Sequence, residues 1–443
     1  MGTPLSRLRM RQPLWARARV CGVPKPPGDR GQLSRWLQLT RTFGRLGLLA
    51  VCALALSGCA GVGALTGSPA TGGSAPASSS ASPQPGPVST SPPVTARLVG
   101  PHQHRHSWRR PVQISAVEGT IASVSLRSSG RRVPGRLTPA ARKWTSTGRL
   151  TPSTAYTASV RLLDGSGQPA RKTFRFTTTK ADKLLTMSAT PGPGWTMGVG
   201  EPVVVTFNAP VAHPAAVERH MSVTTSRGHL AGAWHWFSSS VVHFRPRHFW
   251  PADTTVHVHV DLRHIYAGEG RWGDRNHDWS WRVGASHVTY VSATRHTFRV
   301  TSDGTTIHRW PTGMGMPGFA TRSGVYIVLD KSHNVQMKSC SVGLSCKPGT
   351  PTYYNLTVHW DTRITDSGTF VHAAPWDSQI GYANTSHGCI HLTTADAERF
   401  YSMSVPGDVV IVRGTSRPAN LADRGMADWN MTWSQWRAGS ALH

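Results

Sequence analysis

Acidic residues are scarce in this 443-residue chain: 21 Asp and Glu stand against 48 Lys and Arg, which gives a net charge of +27. Such an excess of positive charge attracts anionic polymers and lipid headgroups. The alternative is a general preference for arginine over acidic residues that reflects no binding partner. The sequence lacks a basic helix and an aromatic stacking motif, so nucleic acid is not an expected partner. It also lacks the HExxH motif of zinc hydrolases.

Long apolar runs are missing as well. The strongest run, Leu46 to Leu56, has eleven residues, against the roughly 20 that a membrane-spanning helix needs. It follows a basic segment, residues 1–45, with ten Lys or Arg and one acid. Removal of that segment would leave a charge of +18 on the rest. The length of the basic segment also suggests a start codon downstream of Met1.

The apolar run ends in Leu56-Ser57-Gly58-Cys59, which resembles a bacterial lipobox. Residues 1–58 are therefore predicted to be a lipoprotein-type signal peptide, with Cys59 as the lipidated residue. An uncleaved anchor that continues to Leu65 is the alternative. Either way, the chain is expected outside the cytoplasm, held at the cell membrane and facing the cell wall.

Cysteine is rare, with six in the chain, and three of these lie in the predicted signal or at its cut. In an oxidising compartment paired cysteines close into disulfides, and an odd thiol calls for explanation. Cys340 and Cys346 flank a short Gly-containing loop and are predicted to pair. Cys389 is then the lone thiol.

Composition and periodicity divide the rest of the chain. Residues 59–96 are rich in Gly, Ser, Thr and Pro, carry no charge, and are predicted to be a flexible tether. Short alternating stretches predict two small antiparallel β-sandwiches, at 97–182 and 183–285. The first contains two predicted strands around an Asp164-Gly165 turn.

Residues 286–415 are also rich in predicted strands and contain one clear helix, Thr394 to about Met403, which follows a Thr cap and has acids in its first turns. Aromatic side chains are expected to pack. In the second sandwich the alternative to packing is an exposed aromatic surface that binds sugars. In the tail, residues 416–443, the aromatic side chains are expected to pack back on one of the domains. The residues concerned are Trp234, Trp236, Phe244 and Trp250 in the sandwich and Trp429, Trp433 and Trp436 in the tail.

A lone exported thiol is useful chiefly as a nucleophile, and it needs a base within reach because the thiolate is the reactive form. His387 and His391 lie two residues on either side of Cys389 and would share its face in an extended segment. His372, at the end of a predicted strand, would be better positioned if an adjacent strand placed it opposite Cys389. Gly388 leaves room for a carbonyl group to reach nearby backbone amides, which could act as oxyanion donors.

The helix that begins near Thr394 would favour the thiolate further if its N-terminus pointed at the sulfur. Two other uses of Cys389 remain open from the residues alone. Flanking histidines and a cysteine match the ligands of zinc, and a free cysteine is commonly a buried, inert side chain.

The stretches FVHAAPW and YANTSHGCI resemble the catalytic signature of the L,D-transpeptidases of the YkuD fold, in which a histidine lies shortly before a Ser/Thr-His-Gly-Cys motif. His372 here precedes Ser386 by fourteen residues. The stretches GAWHWF, RPRHFWPA, PTGMG and DWNMTWSQWRAG resemble the actinobacterial, mycobacterial-type enzymes. The resemblance implies a mainly β fold: two immunoglobulin-like β-sandwich domains, a β-rich YkuD-type catalytic domain and a C-terminal Trp-rich subdomain.

The resemblance also implies roles for particular residues. Cys389 would be the acylated nucleophile, His372 the general base and the carbonyl of Ala373 the group that orients its imidazole, with His387 and Gly388 completing the motif. Substrate contacts are implied for Tyr354, Met337, Trp376, Asn384, Ser386 and His391. The Cys340–Cys346 pair would sit in a lid over the donor pocket and stiffen it.

One position departs from the family pattern, which usually has Asn where this chain has His391. An imidazole is larger than an amide and titrates, so the positioning of the donor or the pKa of the thiol is expected to differ. Alternatively, the ring stacks and hydrogen-bonds in the same place.

The implied reaction is acyl transfer without cofactor or metal. The enzyme would form 3→3 cross-links between peptidoglycan tetrapeptide stems with loss of the terminal D-Ala, and carbapenems would acylate the same cysteine. Its partners would be stem peptides, cell-wall polymers and, through the lipid anchor, the membrane. An L,D-carboxypeptidase, with water as acceptor, and a non-catalytic cell-wall-binding lipoprotein are the alternatives.

Overall fold

The structure is a computed structural model that describes residues 94–100 and 104–442. The predicted signal peptide, the lipidation site at Cys59 and most of the tether lie outside the described residues. Within the described part, no helix is long and apolar enough to cross a membrane.

The first β-sandwich consists of two sheets with strand orders β1-β3-β7-β6 and β2-β9-β8-β4-β5. Its strands are β1 Ala96–Val99, β2 Arg105–His106, β3 Gln113–Ala116, β4 Thr120–Ser128, β5 Arg131–Val133, β6 Gly135–Leu137, β7 Lys143–Ser146, β8 Ala155–Leu163 and β9 Pro169–Thr178. The predicted hairpin around Asp164 is confirmed, since β8 and β9 pair antiparallel through it. The Asp164 carboxylate accepts hydrogen bonds from the backbone N–H groups of Ser166 and Gln168, which hold the turn.

The second sandwich has sheets of order β11-β13-β16-β15 and β12-β20-β17-β14, with a small third sheet, β10-β19-β18. Its elements are β10 Lys183–Leu185, β11 Met187–Thr190, β12 Thr196–Met197, β13 Val203–Phe207, α1 Pro214–Glu218, β14 Met221–Thr225, β15 Gly232–Trp236, β16 Val241–Pro246, β17 Thr255–Asp261, β18 Tyr266–Gly268, β19 Arg271–Gly273 and β20 Asn276–Val283. Trp234, Phe244 and Trp250 are buried in its core, and Trp236 packs against that core. Packing rather than an exposed sugar-binding surface is therefore confirmed for these aromatic residues.

The third domain places a five-stranded sheet, β23-β22-β21-β29-β24, next to a four-stranded sheet, β25-β26-β27-β28. Its elements are β21 His287–Ser292, β22 Thr297–Ser302, β23 Thr305–Pro311, β24 Gly324–Ile327, β25 Asp330–Lys338, a 3-10 helix Ser339–Val342, β26 Asn355–Arg363, β27 Phe370–Ala373, β28 Ile390–Leu392, α2 Thr394–Met403 and β29 Val409–Arg413. Helix α2 spans the predicted residues, and the Thr393 side chain caps it by accepting from the Asp396 N–H. One core, which includes Phe298, Ile390 and Phe400, joins these elements.

The C-terminal tail forms two short helices, α3 Ala427–Asn430 and α4 Trp433–Arg437, and packs on the second sandwich. Trp436 is fully buried, and its indole N–H donates to the carbonyl of Ala233 at 2.9 Å. The guanidinium of Arg245 lies 4.7, 5.3 and 4.6 Å from the ring centroids of Trp429, Trp433 and Trp436, within the range of cation–π attraction. The predicted packing of the tail is confirmed.

Candidate active site

A cavity of about 930 Å³ opens over the face of the β25–β28 sheet. The loop of residues 318–322 and the segment that follows β25 also contribute to its wall. Most of the predicted site residues line it, namely Met337, Tyr354, His372, Trp376, Ser386, His387, Gly388, Cys389 and His391. Strands from different parts of the chain thus bring the lone thiol and three imidazoles to one concave surface.

The register of the sheet decides how Cys389 and His372 meet. Strands β27 and β28 run parallel, with His372 paired to His391 and Val371 paired to Ile390. An adjacent strand, β27, does bring His372 to this segment, as expected, but the residue directly opposite His372 is His391. Cys389 lies two residues before His391, about 6.6 Å along the chain. Residues two apart share a face, so both Cys389 and His391 point toward the cavity beside His372.

The thiol of Cys389 is the free cysteine of the described chain. Its Sγ contacts the carbonyl oxygen of Gly368 at 3.9 Å. The pKa of the thiol is raised to about 11, chiefly because the protein encloses it; the Phe370 backbone N–H acts against this rise, and the nearby charge of Asp361 makes a smaller contribution to it. Strand β28 and the Thr393 cap lie between Cys389 and helix α2 in the chain.

The imidazole of His372 is buried and held in one orientation. Its Nδ1 donates to the carbonyl oxygen of Ala373 at 2.8 Å, so the proton is on Nδ1 and the lone pair on Nε2 is available to the cavity. Burial, with a smaller contribution from the neighbouring His391, lowers the pKa of His372 to about 3. A neutral thiol beside a neutral imidazole is therefore the resting state at neutral pH.

The loop before Cys389 is held by its own side chains. The Ser386 hydroxyl donates to the Cys389 carbonyl at 2.7 Å and accepts from the Gly388 N–H at 3.0 Å. The Gly388 carbonyl in turn accepts from the Thr321 hydroxyl at 2.9 Å. The Gly388 N–H is thus occupied and is not a free oxyanion donor, while a φ of +130° explains why this position favours glycine.

His387 and Tyr354 form an aromatic side of the cavity. The His387 ring lies 4.9 Å from the ring of Phe319 and 5.2 Å from that of Tyr354. Its Nε2 is buried and has no hydrogen-bond partner among the described residues. Burial, with a contribution from His391, lowers the pKa of His387, so this ring is a neutral surface with one unused polar atom.

Asn384 does not line this cavity, although the sequence comparison assigned it to the substrate. Its side-chain carbonyl accepts from the Met314 N–H at 3.0 Å, and its amide donates to the Ala293 carbonyl at 3.1 Å. Both polar groups of Asn384 therefore hold backbone segments together outside the cavity.

His391 is paired with an aspartate that sequence reasoning missed. Its Nδ1 donates to Asp377 Oδ2 at 2.6 Å, and the Thr385 hydroxyl donates to the same oxygen at 2.6 Å. The His391 ring lies 4.9 Å from that of His372 and 6.2 Å from that of Trp376. Because Nδ1 carries the proton, Nε2 of His391 is a second imidazole lone pair at the cavity.

The charges of this pair follow from its surroundings. Burial lowers the pKa of His391 despite the hydrogen bond and negative charge of Asp377. Burial acts to raise the pKa of Asp377, but the hydrogen bonds from His391 and Thr385 outweigh it and the pKa is lowered. A neutral His391 held by an ionised Asp377 is therefore expected at neutral pH. Asp377 lies five residues after His372 in FVHAAPWD. An acid at this position could have suggested a hydrogen-bond partner for His391.

A disulfide joins Cys340 to Cys346 in the segment between β25 and β26. The 3-10 helix Ser339–Val342 and the Ser339 hydroxyl, which donates to the carbonyls of Ser345 and Tyr354, hold the same segment. Ser341, Val342 and Leu344 of this segment line the cavity. Within residues 94–100 and 104–442, no group of three or more His, Cys, Asp or Glu side chains could hold a metal ion.

A second missed residue, Asp361, lies beneath the site in β26. It is fully buried, and neither carboxylate oxygen has a hydrogen-bond partner within the described chain. Burial raises the pKa of the Asp361 carboxyl to about 7, and the nearby backbone N–H groups of Val335 and Asp361, which lie outside good hydrogen-bond geometry, offset only part of the effect. The strand bulges between His359 and Thr362, with Trp360 at a φ of +58°, and this irregularity turns Asp361 inward.

We expect Asp361→Asn to flatten the pH dependence of stability. The pKa of this carboxyl is raised from 3.8 to about 7 on folding, so the folded state keeps a proton that the unfolded state releases. Stability should fall as pH rises from about 4 to about 7 and then stay level, by up to about 4 kcal/mol in total. Urea unfolding at a series of pH values measures the difference, with Glu398→Gln, an exposed helical position, as the matched control. Identical slopes in Asp361→Asn and the unmodified protein would contradict the assignment.

The β-rich third domain thus contains a cavity in which a free thiol and three imidazoles lie on one surface. Residues 286–412 match the model of the YkuD L,D-transpeptidase catalytic domain, and residues 103–266 match that of a bacterial Ig domain. The chain belongs to the L,D-transpeptidase family, and it is an L,D-transpeptidase. The mainly β fold and the family predicted from the sequence are both confirmed.

Relatives of this chain include L,D-transpeptidase 2 of Mycobacterium tuberculosis, 34% identical over 75% of this chain and 81% of the relative. L,D-transpeptidase 5 of the same species is 30% identical over 75% of this chain and 73% of the relative. The crystal structure of L,D-transpeptidase 3 of M. tuberculosis is 34% identical, covers 52% of this chain and 99% of that chain, and has a TM-score of 0.44.

Proposed function

We propose that this protein forms 3→3 peptidoglycan cross-links through a thioester on Cys389. The observation that carries the proposal is the position of the free thiol in one cavity with the neutral, oriented imidazole of His372. A buried imidazole with a free Nε2 is a competent base for a thiol proton. Membership of a family that acts on peptidoglycan supplies the substrate class.

In the first half of the reaction, Sγ of Cys389 attacks the carbonyl carbon of the third residue of a tetrapeptide stem. The thiol proton passes to Nε2 of His372 and from there to the leaving amine, so that the amide bond to the terminal D-Ala breaks and a thioester forms. Because the pKa of the thiol is raised to about 11 and that of the base lowered to about 3, proton transfer has to accompany attack rather than precede it.

In the second half, the side-chain amine of a diamino acid in a neighbouring stem attacks the thioester. The new amide forms, the C–S bond breaks and the amine proton returns to the sulfur through an imidazole. The paired His391 and Asp377 place a second lone pair at the cavity. We assign His391 as the base for the acceptor, while His372 serves the thiol.

The test is to incubate the purified protein with disaccharide tetrapeptides and analyse the products by mass spectrometry. A cross-linked dimer that has lost one D-Ala is expected. A tripeptide monomer with D-Ala and no dimer would instead identify an L,D-carboxypeptidase. Release of no D-Ala, with binding to the cell wall retained, would favour the non-catalytic alternative and contradict the proposal.

The assignment of His391 predicts a selective defect in Asp377→Asn. The amide that replaces the carboxylate has no charge and can turn its NH2 group toward Nδ1, which favours the other tautomer and takes the lone pair away from Nε2. Transfer to the acceptor amine should slow by about 10²-fold, the lower range for a general base. Acylation of Cys389 by a carbapenem should remain within about threefold, since general-base help for that step comes from His372.

Thr385→Val is the matched control, because it removes the other hydrogen bond to Asp377 and leaves the His391 pair in place. Its transfer rate should stay much closer to that of the unmodified protein. If Asp377→Asn slows carbapenem acylation as much as acceptor transfer, the pair acts by holding His372 and the assignment to the acceptor is wrong.

The proposal extends to where the reaction occurs. The Leu56-Ser57-Gly58-Cys59 motif after a basic segment supports cleavage before Cys59 and a lipid anchor that faces the cell wall. The two sandwich domains would then hold the catalytic domain away from the membrane. Intact mass of the protein purified from membranes distinguishes a diacylated N-terminal Cys59 from an uncleaved anchor.

A further inference from the structure

The first sandwich carries an unusual share of the positive charge. Residues 97–182 contain sixteen Lys or Arg and three Asp or Glu, a net charge of +13 within the +27 of the whole chain. Two of the three acids have partners away from the sheet described next: Asp164 holds the β8–β9 turn and Asp182 pairs with Arg109. The positive charge of this domain is therefore little compensated from within.

Six arginines lie on the outward face of one sheet, β2-β9-β8-β4-β5, with Arg105 on the edge strand β2. We call the surface formed by the other five the arginine face. Its members are Arg127, Arg132, Arg161, Arg171 and Arg175. All five are exposed, and none forms an ion pair with an acid of the described residues. Their neighbours in sequence, such as Leu126, Val160, Leu162 and Phe176, point the other way into the core.

The strand register arranges these side chains in two rows that cross the strands. The row at one end consists of Arg132, Arg127, Thr157 and Arg175, and the row at the other end of Ser123, Arg161 and Arg171. Four residues separate the rows along each strand, which is about 13 Å. Each row crosses from strand to strand at steps of about 4.8 Å.

Short hydroxyl side chains fill the space between the two rows. Ser125, Ser159 and Thr173 face each other across β4, β8 and β9 at the midpoint. Arginine side chains are longer than those of serine and threonine, so the rows border a shallow furrow with a polar floor, onto which Arg127 reaches by donating to the Ser125 hydroxyl at 3.2 Å. A furrow with guanidinium groups along both sides fits a chain-like ligand that carries negative charge at intervals.

We propose that the arginine face binds a linear anionic polymer of the cell wall whose repeating units are joined by phosphodiesters. Guanidinium groups bind phosphate oxygens in pairs of parallel hydrogen bonds, and every charged member of this face is an arginine rather than a lysine. The hydroxyl floor adds hydrogen bonds to the sugar or polyol of the repeating unit. The contact would keep the enzyme at the wall independently of its catalytic cavity.

A membrane surface fits this face less well. Peripheral membrane binding usually combines charge with apolar side chains that enter the lipid, and none of the large exposed apolar residues of the described chain lies on the outward face of β4, β8 or β9. A furrow about 13 Å wide is also more specific for a single chain than for a flat layer of headgroups.

The test measures binding of a fluorescent poly(glycerol phosphate) oligomer to the full protein by anisotropy at two salt concentrations. In the fourfold variant Arg127→Ser, Arg161→Ser, Arg171→Ser and Arg175→Ser, affinity at low salt should fall about tenfold or more, with a weaker dependence on salt. Serine already occupies this face, so the variant is expected to fold, and its thermal unfolding and the rate of carbapenem acylation should be unchanged.

The matched control removes four exposed arginines elsewhere, Arg136, Arg219, Arg247 and Arg263, to serine, and therefore changes the net charge equally. It should retain most of the affinity. An equal loss in both variants would show that net charge alone attracts the polymer and would overturn the proposal. So would undiminished polymer affinity in the arginine-face variant, or binding to anionic phospholipid vesicles without binding to the polymer.

Discussion

Replacing Cys389 with alanine is expected to abolish cross-linking and release of D-Ala. Removal of a covalent nucleophile costs far more than removal of a positioning group, and a loss of more than about 10⁴-fold in turnover is expected. In this protein His372 has no other thiol to deprotonate at the cavity, since Cys340 and Cys346 are joined to each other. The measurement is dimer formation from tetrapeptide substrates, together with the intact mass after incubation with meropenem.

The control for this variant is the pair Cys340→Ser and Cys346→Ser, which removes the other two cysteines of the described chain. It should still gain the mass of one carbapenem, whereas Cys389→Ala should gain none. An adduct of the same mass on Cys389→Ala, or undiminished dimer formation, would refute the thioester on Cys389.

The resting state of the thiol adds a pH signature. Because the pKa of Cys389 is raised to about 11 by burial and by the charge of Asp361, the thiolate fraction rises about tenfold for each pH unit below that value. Alkylation of Cys389 by iodoacetamide in the absence of substrate should therefore increase steadily from neutral to alkaline pH. A plateau that begins below neutral pH would show a thiolate–imidazolium pair instead.

Replacing His372 with glutamine is the second change with a large expected effect. Loss of a general base costs about 10²–10⁴-fold in rate, and glutamine cannot accept the thiol proton. Since the pKa of His372 is lowered to about 3, the base remains unprotonated over the whole working range. The turnover rate of the unmodified enzyme should therefore not decrease through protonation of His372 between pH 8 and pH 5. Any decrease in the rate near pH 6 would be due to another titrating group.

His387→Gln is the matched control for His372→Gln. It changes an imidazole of the same cavity that contacts Tyr354 and Phe319. The Nε2 atom of His387 has no hydrogen-bond partner among the described residues. A much smaller loss of turnover is expected. If the two variants lose activity equally while carbapenem acylation persists in both, His372 is not the base and the thiol proton leaves by another route.

Local features of the sequence were enough to predict several elements. The Thr393 cap and the acids that follow it predicted α2 at Thr394–Met403, because capping and the helix dipole act within one turn. The β8–β9 hairpin was likewise readable from the turn at Asp164 and the alternation on either side. The packing of the tail followed from the spacing of its tryptophans.

The site was harder to predict because strand register is a long-range property. Short-range spacing brought His372 into consideration, but it could not show that His372 pairs with His391 and that Cys389 lies diagonal to it. The bulge near Trp360, which turns Asp361 into the protein, follows from the fit of β26 between two neighbours. No pattern of alternation reveals such an extra residue.

The chain's own residues and spacing thus determined the mainly β architecture, the lone thiol, its candidate base and the family, since each depends on residue identity and local conformation. Tertiary structure alone decided the protonation of the site, the pairing of His391 with Asp377 and the use of Asn384 as a backbone link. Those depend on burial and on contacts between strands far apart in sequence, and the dielectric around a side chain is set only when the domain has closed over it.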